Sequence, residues 1–147
     1  MMSNVEGQTM TDGRVIAARA LDPLLQVFRS VSGAELRAVH GVYVHACLAE
    51  RVLVFDGMAL VIEAQPEFDT VGVAIEISPA MTRAGGVDES GSMPWKRFIG
   101  QPFGWGWIAM NPQGYCDTVL LSFGGIAAQL LQSVVASRLD EKVIGVG

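Results

Sequence analysis

The chain has 147 residues, of which half are apolar and 17% charged, and a formal charge of −5. That length suits one domain with a core that needs no disulfide or metal, and that composition excludes an unfolded chain. No apolar run approaches the roughly 20 residues that span a bilayer, and the polar start Met1–Gly13 has neither the basic nor the apolar segment of an export signal. The expectation is a flexible start over residues 1–13, then one β-rich cytoplasmic domain over residues 14–147.

Val15 to Val31 has helical features. Leu21, Leu24, Leu25 and Phe28 recur on one helix face, Asp22-Pro23 resembles an N-cap and first-turn pair, and Ser32-Gly33 is a stop. From Leu36 the pattern turns to strand, with Val39, Val42 and Val44, and two apolar runs then flank Asp56-Gly57, the strongest short hairpin signal. Thr70 to Ile77 alternates cleanly, with Val71, Val73, Ile75 and Ile77 on one face. Pro79 to Pro94 reads as a long loop and Trp95 to Gly100 as a helical turn.

Phe103, Trp105 and Trp107 are expected to share one face of the next strand, which turns at Asn111-Pro-Gln-Gly114 into a strand from Tyr115 to Phe123. Gln129 to Leu139 reads as a strand, and Lys142 to Val146 adds a short last one. The sum is an α+β fold: a curved, mostly antiparallel sheet of about seven or eight strands with an N-terminal helix packed on it.

Chemistry is sparse. His40 and His45 are the two histidines, and their odd spacing puts them on opposite faces of a regular strand. His45 and Cys47 share a face, which permits a Cys-His pair, but no Asn or Asp is obviously placed to orient the imidazole. Glu67 with Asp69 and the lone Asp117 could act as acids, yet Asp69-Thr70 and Asp117-Thr118 at strand starts suit local capping of turns. Cys47 and Cys116 form no Cys-x-x-Cys pair, no metal-ligand series occurs, and the glycine pairs lack the Lys-Ser/Thr of a phosphate loop. No catalytic residue, cofactor or metal is expected.

Charge is more informative. Between Val52 and Ser92 seven acidic residues stand against Arg83, a local net of −6. Such a field repels phosphate backbones, which argues against nucleic acid even beside the aromatic stripe, and favours a basic partner.

The stretches Trp95-Lys-Arg-Phe-Ile-Gly100, Gly104-Trp105-Gly-Trp107 and Asn111-Pro-Gln-Gly-Tyr115-Cys-Asp117, with Asp56-Gly57 and Asp69-Thr70, resemble small bacterial proteins, some of which look like immunity proteins encoded beside polymorphic secreted toxins. The resemblance covers about Leu36 to Leu139 and implies a cytoplasmic binder that blocks a toxin's active site. The residues expected to meet a basic toxin are Glu67, Asp69, Glu76, Asp88, Glu89 and Trp95. Two rivals stand beside this reading: a small enzyme or ligand-binding protein whose site is assembled from distant residues such as His45, Cys47 and Asp117, and a structural or adaptor protein that self-associates, for example as a homodimer, through an exposed sheet edge.

Overall fold

A computed structural model describes residues 21–65, 70–77, 86–124, 129–135 and 138–145. Among them are one α-helix, α1 (Leu21–Ser30), one 3₁₀ turn (Trp95–Arg97) and nine strands. The strands are β1 (Ala38–Val44), β2 (Cys47–Phe55), β3 (Met58–Gln65), β4 (Thr70–Ile77), β5 (Gly86–Asp88), β6 (Phe103–Met110), β7 (Cys116–Phe123), β8 (Gln129–Val135) and β9 (Arg138–Ile144). All pairings are antiparallel and fall into two sheets, ordered β4-β3-β2-β1-β5 and β9-β8-β7-β6.

The expectation of a single α+β sheet is corrected on this point: the protein is mainly β, with two sheets whose apolar faces form one core. Leu53, Phe55, Leu60, Ile62, Val71 and Val73 come from the first sheet, and Val119, Leu121, Phe123, Leu130 and Leu139 from the second. The clean alternation of Val71 and Val73 is the pattern of a strand buried on one side; here Gly72 and Ala74 on the other side are buried too. A smaller cluster of Val52, Ala59 and Val61 lies on the opposite face of the first sheet.

The helix is short and touches β4 and β6, the end strands of the two sheets. It stops where expected: Gly33 takes φ 82°, a left-handed geometry that a side chain resists, and donates its N–H to Phe103 O at 2.7 Å. The start of the helical expectation, residues 15–20, lies outside the described residues, as does the flexible start at residues 1–13.

Several local expectations change for identifiable reasons. The Asp56-Gly57 hairpin forms, but only Gly57 takes positive φ, at 77°. A two-residue turn at His45-Ala46 carries positive φ at both positions, 52° and 64°, so His45 leaves the strand that holds His40. Gly86–Asp88, expected as loop, pairs with β1 through His40↔Asp88 and Val42↔Gly86. The expected strand Gln129 to Leu139 ends at Val135, and Arg138–Ile144 returns as the last strand.

The largest change concerns the aromatic stripe. Phe103 pairs with Phe123 and Trp105 with Ser122, so Gly104 is an extra residue in β6. A bulge reverses the alternation beyond it. Phe103 therefore points into the core, 5.5 Å from Phe123 ring to ring, whereas Trp105 and Trp107 point outward.

Candidate functional site

Two places gather side chains with binding or electrostatic capacity. The first lies between the sheets. Arg51 on β2 shares the inward face with Leu53 and Phe55 and is only 3% exposed. Burying a guanidinium requires partners on every side, and the fold supplies them from both sheets. Glu141 on β9 takes Arg51 Nε at 2.6 Å and Nη2 at 2.7 Å, the bidentate fork geometry; Glu89 takes Nη1 at 2.5 Å. Glu141 also accepts from Gln132 Nε2 at 2.7 Å and Trp95 Nε1 at 3.4 Å, and the Trp95 ring lies 5.3 Å from the Arg51 guanidinium carbon. Glu89 accepts from Tyr43 Oη at 2.9 Å.

Local sequence explains the access. Gly41 stands directly opposite Arg51 on β1, and a Cβ there would lie 2.5 Å from Glu89 Oε1 and 2.9 Å from Arg51 Nη1. One extra residue in β2, Ala49 against the Val42–Tyr43 step, brings Leu48 onto the same face as Arg51. Burial first, and then the Glu89 carboxylate it bonds, raise the Tyr43 phenol above its ordinary value; the two carboxylates outweigh burial and raise Arg51 as well. The Arg51, Glu89, Glu141, Gln132 and Tyr43 bonds tie β1, β2, β8, β9 and the Trp95 turn together.

The second place is on the surface. Trp105 and Trp107 are 45% and 53% exposed on β6, the end strand of its sheet, and Met110 and Tyr115 are similarly exposed at the tip of the same hairpin. Half-exposed indoles leave roughly 200 Å² of aromatic surface in water. The tip is held firmly: Asn111 Oδ1 accepts from Gln113 N and Tyr115 N, both at 3.0 Å, and Gly114 takes φ 91°. On the opposite face of β6 a Cβ at Gly106 would lie 2.5 Å from the Phe28 ring, so glycine lets α1 dock there. Between α1 and β6 a cleft of about 250 Å³ is lined by Leu25, Phe28, Arg29, Trp105 and Trp107, among others.

The described residues of the expected acidic contact do not gather on one patch. Glu67 and Asp69 lie outside the described residues. Glu76 is on β4 and Asp88 on β5, at opposite ends of the five-stranded sheet, about 19 Å apart at the usual strand spacing. Glu89 is engaged by Arg51, and Trp95 is 1% exposed, so both belong to the interior cluster. Asp88 stays at the surface, where Ser90, bonding through its hydroxyl at 2.7 Å and its N–H at 2.9 Å, holds its carboxyl below the ordinary range. Exposed Val87 and Met93 lie close to it in sequence.

The rival trio is divided between the two sheets. Cys47 is exposed beside the His45-Ala46 turn of the first sheet, whereas Asp117 is the extra residue of a bulge in β7, within 3.4 Å of Asn111 Nδ2 and 3.1 Å of Thr118 Oγ1. Among the described residues no group of three or more metal-ligating side chains occurs, and no helix is long and apolar enough to cross a membrane.

Sequence reasoning passed over Arg51, Glu141, Gln132 and Tyr43. The available signal was an arginine at an inward position, in phase with Leu53 and Phe55. An unpaired charge cannot stay there, so a carboxylate partner had to exist elsewhere in the chain.

The fold and these two places define a two-sheet antiparallel β-protein with an internal ion cluster and an aromatic surface strand. The chain belongs to a family of unknown function, DUF6334, whose model matches residues 20–145. No curated protein and no solved structure matches the chain.

Proposed function

We propose that this protein is a protein-binding module, and specifically an immunity protein that neutralises a bacterial toxin by covering its active site. The observation that carries the reading is the outward pair Trp105 and Trp107 on an end strand. Large rings kept in water cost hydration free energy that a partner recovers, and tryptophan dominates measured interface energies. The aromatic hairpin supplies the anchor. Asp88 and the overall charge of −5 supply a long-range field that speeds encounter with a basic toxin, so the acidic residues act mainly on association rate. Blockade needs a complementary surface and no reactive group, which agrees with an interior whose charges are consumed by one another.

The test is protection of a candidate toxin domain. Adding the chain in equal molar amount should abolish the toxin's activity and give a one-to-one complex on sizing. Full toxin activity in the presence of bound chain would remove the immunity reading and leave only binding.

A further inference from the structure

Strand β6 ends its sheet, so beyond Phe103 its outer backbone edge has no partner strand among the described residues. At Phe103 the chain itself occupies that edge. Gly33 N donates to Phe103 O at 2.7 Å, Phe103 N donates to Ala34 O at 2.8 Å, and the pairing continues through Leu36 N to Gln101 O at 3.0 Å. Helix α1 ends just before this segment and packs on β6, so the pairing stops there and a trough opens between helix and strand. Its walls are Leu25 and Phe28 on one side and Trp105 and Trp107 on the other, with Gly104 between. Gly104 O is within 3.5 Å of Ser32 Oγ, at the point where the trough begins.

We propose that this trough receives an extended segment of a partner protein. The segment continues the Gly33–Ala34 pairing along β6 as an added strand, seats an apolar side chain between Phe28 and the indoles, and sets a carboxylate on Arg29. The proposal rests on the protein-binding reading and adds the chemistry of the segment that docks.

Three observations select this occupant. A volume of about 250 Å³ is below the usual range of small-molecule sites, roughly 300–1,000 Å³, and suits one or two side chains. A strand edge beside a helix offers main-chain hydrogen bonds for affinity and side-chain pockets for specificity, and the chain already uses the first part of this edge that way. Charge then sets the polarity of the segment. Arg29 is exposed and is the charged residue of the lining. Arg37 is paired with Glu35 and Arg51 is enclosed by two carboxylates, whereas no described carboxylate lies within ion-pair distance of Arg29. An acidic side chain on the segment completes this cation locally, and screening over about 8 Å separates that contact from the long-range field of the whole chain.

Phage-displayed random hexapeptides selected on the immobilised 147-residue chain test the proposal. The expected motif places an apolar residue next to Asp or Glu, and a synthetic peptide of that sequence should shift the amide NMR signals of Gly104–Met110 and α1. Methylating alternate backbone nitrogens of the peptide should weaken binding at least about tenfold by removing strand donors, and Arg29→Ala should weaken it about threefold to tenfold. Failure to enrich any motif, indifference to Arg29→Glu, or shifts confined to other elements would overturn the groove. Competition separates the two readings: a partner protein that stays bound in one-to-one complex when the peptide saturates the trough keeps the protein-binding reading and removes this one, whereas displacement supports both.

Discussion

Arg51 shows how a single side chain organises the interior. Its three guanidinium nitrogens meet two carboxylates, one of them 90 residues away in sequence. Truncation to Ala would leave Glu89 and Glu141 without their cation, and breaking a buried pair in this way costs about 3–5 kcal/mol. Arg51→Ala should therefore lower the urea midpoint sharply, and Arg51→Lys should restore little, because an ammonium cannot reproduce the fork. The opposite effect belongs to Ala46. Its φ of 64° is costly for a residue with a Cβ, so Ala46→Gly should stabilise by about 1 kcal/mol, raising the melting temperature roughly 2–4 °C in calorimetry. The inward phase of Arg51 was legible but its partner on a distant strand was not, and His45-Ala46 carries none of the Asn or Gly that marks such turns.

At the scale of elements, strands and their turns were readable from alternation and turn residues, although the alternation did not tell that both faces of β3 and β4 are largely buried. The Asp56-Gly57 hairpin, Thr70–Ile77 and the Asn111–Gly114 turn follow from their residues. The pattern failed where backbone irregularity changed its phase. Gly104 reads as one more small residue between aromatics, yet as a bulge it parts Phe103 from Trp105 and turns a presumed core stripe into half core and half surface. The second glycine of that strand has a different task. Gly106 gives room to the Phe28 ring, so Gly106→Ala should push α1 away and destabilise by about 1–3 kcal/mol, as overpacking does. A smaller ring-site residue should relieve the clash: in denaturant titrations, Gly106→Ala with Phe28→Leu is expected to be less destabilised than the sum of the two single variants. Simple addition of the two losses would mean that they do not share this contact.

For the whole molecule, stability should fall on the alkaline side. Burial is the main cause that raises the Cys116 thiol above 9.0, helped by the Asp117 charge, and burial with Glu89 raises the Tyr43 phenol above 10.0. Both groups prefer the protonated form more in the folded chain than in the unfolded one. Their contribution is therefore complete below pH 9 and is lost as pH climbs through the raised values. Urea melts between pH 7 and 11 should show this decline beginning above about pH 9, and Tyr43→Phe should flatten its upper part.

The candidate binding surface was partly legible at this scale. Sequence marked the aromatics Trp105 and Trp107 and the acidic run, but which rings face water depends on Gly104. Whether Glu76 and Asp88 meet depends on strand order, which puts them on opposite ends of a sheet.

The account stands most directly on the outward indoles. Affinity for the toxin partner proposed above, measured by calorimetry for the native chain and for Trp105→Ala/Trp107→Ala, should fall by roughly a thousandfold, since hot-spot tryptophans are worth about 2 kcal/mol or more each, while the variant's melting temperature stays close to native. An equally stable double variant that binds the toxin with unchanged affinity would contradict the proposal that this face is where the partner docks.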